Sequence, residues 1–242
     1  MGGFPIVSLD QIYLEPDNGI IFLDCTRLDG SNDLVSRRNP NDKANVERQI
    51  KRIAQDLPCK RIVLADDVVF SGNVLKKVIE LFEKYGIQTL GIRSAIATQE
   101  GYEYFNENLP LGLKCGYLLG ENVIDQICER DFYFGIAQSG ISIRKDGSIY
   151  KAPYFKPYGN PVERASIPEN YEEYFSKGCI IRSLALWERI EKLTGREILV
   201  RDLPERINNT KQNETVQKVL KKGLNYEKVT NRNNGISRWS KL

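Results

Sequence analysis

The chain contains no histidine. That removes the commonest general base, the commonest metal ligand and every catalytic triad built on imidazole. Its five cysteines (Cys25, Cys59, Cys115, Cys128 and Cys179) are odd in number and scattered, with no C-x-x-C pair. Such usage excludes a thiolate zinc site and fits a reducing compartment, so a cytoplasmic location is expected. No apolar run reaches the length of a membrane span. Residues 1–11 lack a basic region followed by an apolar core, so no secretory leader is expected. Ile6 stands where a lipidation signal at Gly2 needs Ser or Thr, which sets that signal aside. There is no Gly-Lys-Ser/Thr phosphate loop, which argues against an ordinary ATPase. Any acid–base chemistry must come from Asp, Glu, Lys, Tyr, Cys or the substrate.

What is present suits a globular protein. Of 242 residues, 41% are hydrophobic and 28% charged, enough for one larger domain or one domain with an appendage. The net charge of +3 is uneven: from Glu205 onward nine Lys or Arg face three Glu, so this tail carries +6 and residues 1–204 carry −3. A solvated terminal helix explains the tail most simply. Contact with a nucleic acid or a protein partner through residues 205–242 is the other reading.

Periodicity divides the chain. Residues 19–25 (GIIFLDC) read as a short buried strand followed by a polar loop over 26–42. Val46, Ile50, Ile53 and Leu57 form a helical stripe. Residues 61–65 (RIVLA) read as the next buried strand. Val74, Leu75, Val78, Ile79, Leu81, Phe82 and Tyr85 line one helix face, with Gly86 placed to end it. Residues 87–97 are a third apolar strand candidate. This β-α-β-α-β order predicts an α/β fold with a mostly parallel sheet and flanking helices, whose ligand site lies beyond the carboxyl ends of the strands. Further on, 101–110 reads as a helix and turn, 114–120 as a strand, 122–131 as a short helix or loop, and 132–155 as strands around a Lys-Asp-Gly turn. Residues 168–195 read as helical with a break at Gly178, and Trp187, Leu184, Ile190 and Leu193 as one packed face. A basic helix follows over 213–224. The expected organisation is an α/β domain over 1–150 and a mainly helical appendage over 151–242.

The informative stretch is RIVLADDVVFSGNVLKK, residues 61–77. An apolar run meets two adjacent carboxylates, then a Ser-Gly-Asn turn opens a helix. Small turn residues before a helix aim backbone N–H groups at one spot, where the helix dipole favours an anion. Ser71 adds a hydroxyl, Gly72 flexibility, and Asn73 a helix cap. Asp66 and Asp67 would repel a phosphate at close range, but suit sugar hydroxyls or water-bound Mg²⁺. A sugar with vicinal hydroxyls and a terminal phosphate meets both demands.

The run Ile62-Val63-Leu64-Ala65, Asp66-Asp67, Val68-Val69-Phe70, Ser71-Gly72-Asn73-Val74 resembles the phosphoribosyl-pyrophosphate (PRPP) signature of type I phosphoribosyltransferases. The resemblance implies that Asp66 and Asp67 hold the ribose hydroxyls, and Mg²⁺ through water, while Ser71, Gly72, Asn73, Val74 and Leu75 hold the 5-phosphate. Val74 stands where the family usually has a second Thr. Arg27, Leu28, Asp29, Gly30 and Ser31 resemble the family's pyrophosphate loop. Arg37 and Arg38, with Lys43 close by, resemble the basic residues that close over the reaction centre. Phe132 or Tyr133 falls where related enzymes stack a base, although core packing suits these aromatics better.

The implied activity is transfer of phosphoribose from PRPP–Mg²⁺ to an acceptor, with pyrophosphate released. The alternative is a binding module that keeps the phosphate cradle without turnover, acting as a regulatory or complex subunit. Its partners would be a phosphorylated ribose ligand and, in either reading, a second copy of the chain. A haloacid-dehalogenase-like reading of IIFLDCTRLDGS fails because Thr26 stands where the second Asp is needed.

Overall fold

The computed structural model describes residues 3–11, 14, 19–28, 33–38, 41, 42, 44–120, 132–161, 167 and 169–233, with side chains as far as 226. The chain forms two compact units, Met1–Val123 and Ile124–Leu242.

In the first unit, five parallel strands form one sheet: β1 (Ile6–Ser8), β2 (Ile20–Phe22), β5 (Arg61–Val69), β6 (Gln88–Thr98) and β7 (Leu113–Leu119), in the order β2-β1-β5-β6-β7. A two-residue ribbon, β3 (Thr26–Arg27) against β4 (Leu34–Val35), rises from the loop after β2. Helices α1 (Asn45–Asp56), α2 (Asn73–Lys84) and α3 (Gln99–Asn108) connect the later strands. Each of these connections steps along the sheet in the same direction, so right-handed crossovers put all three helices on one face. A single core follows from this: Val46, Ile50 and Ile53 of α1, Leu75, Val78 and Phe82 of α2, and Phe105 of α3 pack with Ile62, Leu64 and Ile92 of the strands. The parallel sheet with flanking helices is thus the fold that the alternating pattern predicts.

Two strands differ from the expectation. β1 has only three residues, too few to show a period, yet it lies between β2 and β5. β5 runs on past Ala65 through both acids to Val69, because the eleven-residue β6 continues to pair with it: Asp66 opposes Ser94 and Val68 opposes Ile96. On its other side β5 loses its partner at Ala65, which pairs with Ser8, the last residue of β1. The acid pair therefore begins where β5 becomes one-sided. The chain leaves β1 toward β2 and later crosses to β5 on the opposite side, so this crevice is also the topological switch point.

The second unit holds a hairpin, β8 (Ile141–Lys145) with β9 (Ser148–Ala152), and two helices, α4 (Glu172–Thr194) and α5 (Val216–Asn233). Asp146 and Gly147 turn the hairpin with φ of 50° and 76°, the pair of positive angles that a two-residue type I′ turn requires. α4 is continuous for 23 residues, so the break expected at Gly178 does not occur. Phe175, Cys179 and Ile180 bury on both sides of that glycine and hold the helix through it. Trp187 is buried and donates from its indole N–H to the Phe134 carbonyl (2.7 Å), whereas Leu193, expected on the same packed face, is 78% exposed. Phe132 packs edge-on against Tyr154 and Phe175, so it is a core residue. Residues 122–131 lie outside the described residues. No described helix is long and apolar enough to cross a membrane.

Candidate functional site

Asp66 and Asp67 are both half-buried on β5. The Asp67 backbone N–H donates to Asp66 Oδ1 (3.2 Å) and the Val68 N–H to Asp67 Oδ1 (2.8 Å). The Asp66 carboxyl is held well above the usual carboxylate range, first by burial and then by the negative charge of Asp67, with the Arg37 guanidinium opposing both. Two adjacent acids, one reluctant to ionise, make a site that gains from a cation or from hydroxyl donors. Among the described residues no cluster of three or more His, Cys, Asp or Glu is placed to hold a metal. Two hard carboxylates without a third ligand fit Mg²⁺, which keeps most of its waters and takes its remaining oxygens from substrate phosphates. Asp66 and Asp67 are the residues that would hold it.

The ribbon explains how a loop residue reaches the acids. Thr26 pairs with Val35 and Arg27 with Leu34, so the same register continued backward sets Cys25 toward Ser36 and Asp24 toward Arg37. The hydrogen bonds follow that register. Asp24 accepts from the Ser36 hydroxyl (2.5 Å), the Arg37 N–H (3.0 Å) and the Arg38 N–H (3.2 Å). Arg37 Nε in turn donates to the Cys25 carbonyl (3.2 Å). Burial pushes the Cys25 thiol up to about 12, Arg37 works against that shift, and the charges of Asp66 and Asp24 add to it. This thiol is thus a core group rather than a nucleophile. Arg38 is exposed and its guanidinium turns to Gln11 Oε1 (2.6 Å). Of the two neighbouring arginines, Arg37 therefore stands with the acid pair and Arg38 contributes its backbone.

The turn after β5 is shaped by α3. Gly72 caps α2 with φ of +72°, and no side chain caps the amides of the first turn. Asn73, expected as the cap, is the exposed first residue of the helix; the left-handed backbone at Gly72 takes that place instead. A Cβ on Gly72 would lie 2.3 Å from Phe105 Cε2, so the turn needs glycine for its angle and for the close approach of the ring. Thr98 Oγ1 donates to the Phe70 carbonyl (3.1 Å) and ties the turn to the end of β6. Ser71 is half-buried, Val74 packs against the core, and Leu75 is fully within it, so Leu75 offers the turn only its backbone.

In the earlier loop, Leu28 is buried and its N–H donates to the Asp33 carbonyl (2.9 Å). Arg27 reaches the neighbourhood of α2: burial and the Arg27 charge lower Lys77, while Glu80 and Asp33 act in the opposite sense. Asp29, Gly30, Ser31 and Lys43 lie outside the described residues. Asp24 is the participant that sequence reasoning passed over. Its signal is modest: an acid at the end of a strand whose neighbours are apolar, just before a polar loop.

Comparisons with known proteins address this stretch. Residues 29–107 match the family model described as the phosphoribosyl transferase domain. No curated protein matches the chain. Among solved structures, orotate phosphoribosyltransferase from Aeropyrum pernix is similar at 24% identity and a TM-score of 0.24, over 26% of this chain. The chain spans 38% of that structure's length. The family match contains Arg37, the acid pair and the Ser71–Leu75 turn.

Proposed function

We propose that this chain is a phosphoribosyltransferase that binds PRPP with Mg²⁺ and transfers the phosphoribosyl group to an acceptor. The observation that carries this reading is the one-sided end of β5: two half-buried acids, one of them under the charge of Arg37, precede a glycine-turned helix end that no side chain caps. Asp66 and Asp67 hold the ribose hydroxyls and the metal's waters. The amides of Ser71–Leu75 and the Ser71 hydroxyl hold the 5-phosphate, with the helix dipole in support. Arg37 contacts the pyrophosphate, and Arg27, with Asp29, Gly30 and Ser31, extends that contact. The acceptor attacks C1 of the ribose, the bond from C1 to the pyrophosphate oxygen breaks, and pyrophosphate leaves with the electron pair. The acceptor's proton passes to the departing pyrophosphate. Without an imidazole in the chain, catalysis rests on positioning and charge stabilisation. Bound Mg²⁺ would supply neutralisation of the pyrophosphate charge.

The same proposal includes a division of labour between an α/β part within 1–150 and an appendage over 151–242. It also includes a role in nucleotide metabolism and a cytoplasmic location, supported by four free thiols among the described cysteines. A pyrophosphate-release assay across purine, pyrimidine and amine acceptors tests it; release with at least one acceptor is expected.

A second reading has one observation in its favour. Val74 packs into the core where a phosphate-binding hydroxyl would otherwise stand. A protein that binds PRPP without turnover, serving as a regulatory or complex subunit, follows from that loss. PRPP binding with no pyrophosphate release from any acceptor is its signature.

A further inference from the structure

The loop that carries Arg37 is not merely near the acid pair; it is fastened. Asp24 is 9% exposed and spends both carboxylate oxygens on the turn Ser36-Arg37-Arg38, with Oδ1 taking the Arg37 N–H and Oδ2 the Ser36 hydroxyl and the Arg38 N–H. The backbone of Asp24 is held as well. Its N–H donates to Gln49 Oε1 (2.9 Å), and Gln49 Nε2 donates back to the Asp24 carbonyl (3.1 Å), so α1 grips the residue as a neighbouring strand would. Gln49 Nε2 also donates to Asn45 Oδ1 (2.5 Å) one turn earlier. A chain of fixed contacts thus runs from α1 through the end of β2 to a three-residue turn. Its outcome is one side-chain direction: Arg37 Nε meets the Cys25 carbonyl at 3.2 Å, and the guanidinium stands among Cys25, Asp24 and Asp66.

An acid that only ended a strand would need one or two donors. Three donors from consecutive residues, two of them backbone amides, fix the φ and ψ of the turn as well as its position. An arginine on a long flexible stem loses much rotamer freedom when it binds an anion, and a held backbone with an anchored Nε removes part of that cost in advance. A guanidinium is a planar fork of donors whose geometry matches the oxygens of a phosphate.

We infer that Asp24 is a positioning residue: through Ser36 and the Arg37 backbone it holds the Arg37 guanidinium at the acid pair, where it receives the pyrophosphate end of the ligand. This rests on the phosphoribosyltransferase reading for the identity of the ligand, and on the hydrogen bonds alone for the clamp. Asp24 itself touches no substrate.

The test is a double-mutant cycle read by calorimetry with PRPP–Mg²⁺, pyrophosphate–Mg²⁺ and ribose 5-phosphate. Asp24→Asn lowers affinity for PRPP and pyrophosphate about 10- to 100-fold, the range seen when the partner orienting a ligand-binding group is removed. It leaves ribose 5-phosphate within about twofold, because that ligand uses the acid pair and the turn after β5. Arg37→Ala gives a comparable loss, and Asp24→Asn adds nothing further in that background. Ser36→Ala removes the hydroxyl that donates to Asp24 and leaves both amide contacts in place, giving a smaller loss of the same pattern, which keeps the test open if Asp24→Asn fails to fold. Equal losses for all three ligands, or additive losses in the cycle, overturn the assignment. Wild-type protein that binds none of them overturns the phosphoribosyltransferase reading instead. In that case the Nε–H resonance of Arg37 decides for the clamp: slow exchange in the wild type and its loss in Asp24→Asn uphold it, and identical exchange in both overturns it.

Discussion

Replacing Gly72 with alanine tests the turn on which the phosphate cradle depends. Two costs add there. The backbone sits at φ of +72°, and a left-handed L-residue costs about 1–2 kcal/mol. The new Cβ would also meet Phe105 Cε2 at 2.3 Å and Cζ at 2.7 Å, and Phe105 is fully buried. Forcing a packed ring aside costs about 1–3 kcal/mol, so the sum is about 2–5 kcal/mol. Gly86 supplies the control: its φ is +71°, with nothing within 4 Å of a Cβ. Gly86→Ala should therefore show the angle cost alone, about 1–2 kcal/mol. Urea denaturation of both variants gives the difference, which is the ring contact. In a Phe105→Leu background that difference should shrink. Equal losses for Gly72→Ala and Gly86→Ala, or a neutral Gly72→Ala, would refute the described turn and with it the argument that α3 shapes the cradle.

Three other perturbations have definite outcomes. Asp66 holds its proton in the folded state at pH values where the unfolded chain has lost it, so stability falls as pH rises from the ordinary carboxylate range through its raised folded value, then levels. Asp66→Asn should flatten that dependence and leave the ligand-free protein more stable above the window, read by denaturation across pH, while PRPP affinity is lost. Lys151, 5% exposed, donates to Ser142 Oγ (3.0 Å) and lies 3.9 Å from Glu205 Oε2; Lys151→Ala should cost about 1–3 kcal/mol by removing the donor to the buried Ser142 hydroxyl and the cation beside Glu205, read by thermal unfolding. Asn73→Ala should change stability by less than about 0.5 kcal/mol, because Gly72 rather than Asn73 caps α2; a loss near 1 kcal/mol in the same measurement would restore Asn73 as the cap.

Much of the first unit is legible in the sequence for a physical reason. α1 and α2 each have one buried face, and their stripes at Val46, Ile50 and Ile53 and at Leu75, Val78 and Phe82 announce it. The acid pair and turn are legible because chemistry there is concentrated in consecutive residues. What escaped depends on partners distant in sequence. β1 is three residues long and is defined only by its neighbours on both sides. The run of β5 through Asp66 and Asp67 is set by the length of β6, not by its own polarity. Asp24 acquires its place from a ribbon register and from Gln49, 25 residues away. Gly178 looks like a break locally, yet burial on both sides of it carries α4 through. The cap of α2 passed from Asn73 to Gly72 because Phe105, a residue of α3, sets the turn's shape.

The central claim is that Asp66, Asp67 and the turn of residues 71–75 form a PRPP site. Calorimetric titration of PRPP with Mg²⁺ into wild-type protein and into Asp67→Asn tests it most directly. The account predicts saturable one-to-one binding to the wild type that requires Mg²⁺ and is lost in the variant. No binding to the wild type, or the same affinity in Asp67→Asn, would contradict it.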